Sequence, residues 1–156
     1  MSIESVRAYL AAQGFADRIR VFDVSSATVE LAAAALGCEP KRIAKTLSFM
    51  VNEKAILIVT AGDARIDNAK YKAQFGTKAK MLTPEQAVSL VGHAVGGVCP
   101  FAVREGVSVY LDVSLKRFES VFPACGSSNS AIELTVPELG SLCGTAAWVD
   151  VCKDWE

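Results

Sequence analysis

The stretch Val91–Phe101, Val-Gly-His-Ala-Val-Gly-Gly-Val-Cys-Pro-Phe, constrains this chain more than any other segment. It holds three glycines, the sole histidine and a proline. Gly96 and Gly97 can take backbone angles closed to other residues, so successive peptide N–H groups can turn toward one point. Pro100 fixes its own φ and lacks a donor, so no helix continues through it. The segment is therefore a loop between two regular elements. A loop of this make-up can hold a carbonyl or an anion by main-chain atoms alone, and a tight structural turn would use the same residues.

A chain of 156 residues is long enough for one domain with a real core, and no repeat, linker or low-complexity tract divides it, so residues 1–156 read as a single domain. Hydrophobic residues make up 51% and charged residues 21%, a globular balance. The net charge of −1 argues against a protein that grips long duplexes through many phosphates, which excludes a general DNA binder but leaves room for one RNA end. Met1-Ser2-Ile3-Glu4 lacks the basic-then-apolar pattern of a signal peptide, and no run approaches the roughly 18 apolar residues of a membrane helix. The five cysteines are widely spaced without a Cys-x-x-Cys pair, which predicts reduced thiols in a cytoplasm. One histidine and no clustered carboxylates give no support to a metal site, and no cofactor is expected.

Periodicity and capping predict alternating elements. Ser2–Gln13 reads as a helix with Ile3, Val6 and Leu10 on one face, and Ile19–Val24 as a first strand. Ser25 and Ser26 are candidate caps for a helix through Leu36, ended by Gly37. Pro40 starts a short turn that delivers Lys45 to a strand beginning near Thr46. Leu47–Val51 and Ala55–Thr60 flank Asn52-Glu53-Lys54 as a hairpin. Asp67 caps a helix over Asn68–Phe75, and Ala79–Leu82 reads as a short strand. Thr83-Pro84-Glu85-Gln86 combines an N-cap, a proline at the first helical position and a capping-box glutamine, starting a helix that ends at Gly92. Strands follow at Ser108–Val113, Ser120–Phe122, Ser130–Thr135 and Ala147–Val151, with short helices at Leu115–Phe118 and after Thr135. Six or seven strands interrupted by helices predict a mixed α/β (α+β) domain on one curved mixed sheet.

Several residues in this layout can carry chemistry. Lys45, at the head of an apolar strand, is either a snorkelling surface residue or a cation held at a cleft mouth against phosphate or a developing oxyanion. His93 suits a hydrogen-bonding prop for its loop more than a base. Cys99, six residues on, invites a Cys–His nucleophile pair, although no third orienting group is evident and small apolar packing explains it as well. Gly126-Ser127-Ser128-Asn129-Ser130 is a second polar loop, able to recognise hydroxyl or amine groups or simply to turn a hairpin. Lys70, Lys72, Lys78 and Lys80 form a modest basic stretch, either a solvated face or an RNA path.

In this order the motifs resemble the YbaK/EbsC family, free-standing relatives of the editing domain inserted in bacterial prolyl-tRNA synthetases. The resemblance rests on Ile43-Ala44-Lys45-Thr46-Leu47-x-Phe49, Gly62-Asp63-x-Arg65-Ile66-Asp67, Val91-Gly92-His93-x-Val95-Gly96-Gly97-Val98-x-Pro100-Phe101, Tyr110-Leu111-Asp112-x-Ser114-Leu115 and Ile132-Glu133-Leu134. It implies a YbaK-like fold and hydrolysis of the ester joining a wrong amino acid to the 3′ end of a tRNA, chiefly tRNA for proline. It also implies a central role for Lys45 and an aminoacyl-holding loop at Gly96–Pro100. The site it implies assigns catalysis to Lys45, Gly96, Gly97 and Val98. Substrate binding falls to Phe22, Thr46, Ser48, His93, Cys99, Pro100, Phe101, Ser127 and Asn129. The expected partners are a mischarged tRNA and prolyl-tRNA synthetase; a non-catalytic tRNA or aminoacyl-binding module is the alternative. Two departures bear on the substrate. Ala131 stands where cysteine-specific members resemble one another in an acidic residue, and Ala102 stands where many relatives have glycine. Both lean the substrate toward alanine or another small residue rather than cysteine.

Overall fold

Two apolar runs separated by Asn52-Glu53 form the hairpin on which the rest of the chain is laid down. In the computed structural model, which describes residues 2–144 and 147–155, the two turn residues have φ of 49° and 67°. A two-residue hairpin turn needs positive φ at both positions to match strand twist. In chain order the helices are α1 (Ser2–Ala12), α2 (Val29–Leu36), α3 (Asn68–Phe75), α4 (Pro84–Gln86, continuing as a π-type turn over Ala87–Val91) and α5 (Val136–Cys143). The strands are β1 (Ile19–Val21), β2 (Ile43–Val51), β3 (Lys54–Ala61), β4 (Arg65–Ile66), β5 (Ser108–Asp112), β6 (Ser120–Pro123), β7 (Ser130–Ile132), β8 (Leu134–Thr135), β9 (Ala147–Val149) and β10 (Cys152–Lys153).

Six strands form one mixed sheet in the order β8-β6-β2-β3-β5-β9. β2 and β3 pair antiparallel from Ala44 opposite Ala61 to Val51 opposite Lys54, while β3–β5, β5–β9 and β2–β6 are parallel. β3 is buried from Ala55 to Ala61, as a central strand covered on both faces must be. Two small pairs, β1 with β7 and β4 with β10, close the margins. The core gathers Val6, Leu10, Phe49, Leu57, Ile58, Tyr71, Phe101, Leu111, Ile132 and Leu139, so α1, α3, α5 and the glycine loop all pack on the same sheet. The mixed α/β architecture on one curved sheet is the one expected from the sequence.

Several boundaries differ from expectation, each for a local reason. The first strand ends at Val21, opposite the start of β7 at Ser130, and Phe22 then bonds the loop residue Asn129. α2 starts at Val29, with the Thr28 side chain accepting from the Leu31 N–H, so Ser25 and Ser26 lie in an irregular segment ahead of the helix. Ala79–Leu82 contributes a single bridge, Met81 to Phe49. Ser130–Thr135 is two strands rather than one. β7 pairs β1 and β8 pairs β6, and Glu133 at the break turns its carboxylate to Ser120 Oγ at 2.7 Å and Arg42 Nη2 at 3.2 Å. The two capping boxes, Thr83 with Gln86 and Thr135 with Glu138, are both formed.

Candidate active site

Lys45 lies one residue after Ala44, which pairs with Ala61 at the end of β3, and its side chain reaches the turn that follows β3. Its ammonium donates to Ala64 O at 2.5 Å and Gly62 O at 3.4 Å. Burial holds its pKa below the ordinary lysine value. Lys45 makes no ion pair among the described residues; its direct partners are the two carbonyl oxygens, with the Asp63 and Glu30 carboxylates acting at longer range. An ammonium carries three donors, and the turn engages two of them. Lys45 is thus a cation with one donor to spare, not a snorkelling surface residue.

The Lys45 side chain lines a cavity of about 340 Å³. Its walls come from β2, from the irregular segment Ser26–Thr28 with the start of α2, from Val95, Gly96 and Val98, and from Ser130–Ala131. Lys45 is the one charged side chain among the lining residues. Thr46 and Ser48 also line it, although the Thr46 hydroxyl is buried without a partner. Ala131 forms part of the wall, so the residue at this position bears on the cavity's shape.

The glycine loop makes its wall by a turn in which Gly97 N–H donates to Ala94 O at 3.0 Å, with Gly96 at φ 94° in the third position. Gly97 itself is buried against the second polar loop. A Cβ there would stand 2.7 Å from Gly126 C and Ser127 N, so only glycine allows this approach. This corrects one expectation: the Gly97 amide is spent within the turn and its residue faces away from the cavity. Val98 lines the cavity, and the amides of Val98 and Cys99 have no acceptor among the described residues. Of the two residues, only Val98 lies on the cavity lining.

His93, Cys99, Pro100 and Phe101 lie behind this wall rather than on it. All four are buried, and His93 Nε2 lies 2.7 Å from Phe101 O, closing the loop on itself. Cys99 Sγ is 3.6 Å from His93 Nε2 and fully buried, and burial pushes its thiol up to about 12. A nucleophile needs a thiolate and an approach path, so the Cys–His pair is excluded as the reacting group. Burial likewise holds His93 below the ordinary histidine value. Ala102, just beyond, adopts φ 52°, a left-handed conformation that glycine takes at less cost.

Phe22, Ser127 and Asn129 are not on the lining either. Asn129 Nδ2 donates to Phe22 O at 3.0 Å and Phe22 N–H to Asn129 O at 2.7 Å. Ser127 Oγ contacts Asn129 Oδ1 at 2.9 Å and Ser130 Oγ at 2.7 Å. These bonds, with Ser26 N–H donating to Ser128 O at 2.7 Å, tie Phe22 and Ser26 to the loop ahead of β7, and Ser26, Ala27 and Thr28 line the cavity instead. The small residues of Ser25-Ser26-Ala27-Thr28 are the signal that marks this segment in the sequence, and they also read as helix caps.

No helix among the described residues is long and apolar enough to cross a membrane, and no group of three or more metal-ligating side chains is assembled among them. The model of the aminoacyl-tRNA editing domain matches residues 24–142. The uncharacterized protein YwhH of Bacillus subtilis is 53% identical over the whole of both chains. A proline–tRNA ligase of Bacillus cytotoxicus is 31% identical over 64% of this chain, which spans 18% of that enzyme. A crystal structure of a protein proposed as a trans-editing enzyme for prolyl tRNA synthetase superposes with a TM-score of 0.87 at 30% identity, over 97% of each chain. On sequence, fold and cavity together, the chain belongs to the aminoacyl-tRNA editing domain family, in its YbaK-like branch.

Proposed function

We propose that this protein is a trans-acting deacylase that hydrolyses the ester of a mischarged tRNA, with alanine on tRNA for proline as its main substrate and cysteine behind it. One observation carries the reading: a single held cation, Lys45, on the wall of an otherwise uncharged cavity that the Gly96–Val98 loop faces. That arrangement suits a small neutral acyl group attached to an anionic strand end. Acting on tRNA ends, the protein would work in the cytoplasm, alongside prolyl-tRNA synthetase.

An aminoacyl ester is already activated, so positioning a water supplies much of the catalysis. Water adds to the ester carbon, the carbonyl oxygen takes up negative charge, and the bond to the ribose oxygen breaks as that oxygen gains a proton. The Val98 amide stabilises the oxyanion, and the spare Lys45 donor binds a terminal phosphate or ribose hydroxyl. Selection comes from size. Ala32, Ala124 and Ala131 share the lining with the larger Ile43 and Phe122, and the fit of the acyl side chain against these walls is what would discriminate between amino acids.

Purified protein assayed on tRNA for proline carrying alanine, cysteine or proline tests the reading. Alanine is expected to be released fastest and proline spared. Tight tRNA binding with no loss of any ester would overturn deacylation and leave a binding module.

A further inference from the structure

Lys45 is held by a turn, and that turn is held by residues far from the cavity. We infer that Arg117 is a positioning residue for Lys45, acting through Asp63 to fix the Gly62–Ala64 carbonyls that receive its ammonium. The inference rests on the role proposed above for Lys45.

A lysine side chain has four rotatable bonds, and with no carboxylate partner only the two carbonyls restrain this one. Their position is set from three sides. Gly62 lies so close to Pro40 that a Cβ would stand 2.0 Å from the Pro40 carbonyl oxygen. Ala64 is fully buried, and its N–H donates to Ala61 O at 3.0 Å. Between them, Asp63 is gripped in a fork: Arg117 Nη2 to Oδ1 at 2.6 Å and Nη1 to Oδ2 at 3.0 Å. Such two-pronged pairing fixes direction as well as distance.

Arg117 is a rigid post. Its Nε donates to Ser114 O at 2.9 Å, and its guanidinium lies 4.7 Å from the centre of the Phe118 ring and 4.9 Å from that of Trp155. Ser114 Oγ accepts from Ala61 N–H at 3.1 Å, and Ser114 N–H donates to Asp112 Oδ2 at 2.9 Å. The post is thereby joined to the end of β3, next to the turn. At 14% side-chain exposure for Arg117 and 31% for Asp63, the pair is partly shielded from water, unlike an ordinary surface ion pair.

The test compares Asp63→Asn, which removes the charge at nearly constant volume, with Arg117→Lys, which keeps the charge and loses the fork. One readout needs no substrate: hydrogen exchange of the Lys45 ammonium, followed by NMR on protein labelled with nitrogen-15 lysine. The other is the division of deacylation into kcat and KM. Both variants are expected to speed ammonium exchange several-fold and to lower kcat by about tenfold to a hundredfold with KM little changed. Lys116→Ala, on the same turn but stacked on Trp148, should change neither. Unchanged exchange in Asp63→Asn overturns the inference. So does faster exchange with kcat intact, or unfolding of Asp63→Asn, which would make the pair a prop for the whole fold. If wild-type protein deacylates nothing, the functional reading fails, while the exchange rates still decide whether Arg117 fixes Lys45.

Discussion

Gly97→Ala isolates the geometry of the glycine loop from its conformational preference. Gly97 does not sit in the left-handed region, so an alanine there meets no backbone penalty; its cost is purely one of space. The added Cβ would lie 2.7 Å from Gly126 C and Ser127 N and 2.8 Å from Gly126 O. Non-bonded carbon atoms settle at about 3.5–4.0 Å, so the loop must lift by roughly 1 Å. Those neighbours are backbone atoms anchored through Ser127, Asn129 and Phe22, so the moving part is the glycine loop. A shift of that size carries the Val98 amide with it and should cost about a hundredfold in kcat for alanyl ester release. Overpacking should cost about 1–3 kcal/mol of stability, read from urea unfolding. Gly96→Ala is the contrasting case. Its nearest neighbours would be at 3.4 and 3.5 Å, and its cost, about 1 kcal/mol, comes from φ 94°. A Gly97→Ala protein that released alanine at the wild-type rate would refute the placement of the oxyanion donor in this loop.

Other consequences are as direct. His93 is buried and neutral, with its pKa below the 6.5 of an unfolded histidine, so the unfolded chain binds the extra proton first. Stability therefore falls as pH drops through 6.5 toward the folded value, by up to about 1.4 kcal/mol per pH unit, and His93→Gln flattens that slope in urea titrations at several pH values. Cys99→Ala should keep its deacylation rate and lose about 1 kcal/mol of stability, whereas abolished activity would return the thiol to the mechanism. Ala131→Val narrows the cavity and should reduce release of cysteine more than of alanine, by about tenfold in the ratio of kcat/KM values.

Much of this is legible in the sequence because its causes are local. The capping boxes at Thr83 and Thr135 and the Asn52-Glu53 hairpin need only neighbouring residues. Lys45, Gly96 and Val98 stand out by residue type and motif, and they do share one cavity. What escaped depends on contacts between distant segments. Whether Ser127 and Asn129 face a ligand or each other is decided by Phe22, about a hundred residues earlier, and composition carries no trace of that choice. Ser26–Thr28 reads as a helix start because small hydroxyl residues serve caps and pocket walls alike. Gly97 differs from its sequence expectation for a related reason. Its freedom suggested an exposed donor, but the glycine is needed for the close approach of Gly126.

The proposed role of Lys45 is put to the test by single-turnover release of alanine from tRNA for proline by wild type and by Lys45→Ala. Rapid release by wild type and near-complete loss in the variant are expected, with the fold and tRNA binding retained. Equal rates for the two proteins would remove Lys45 from the reaction.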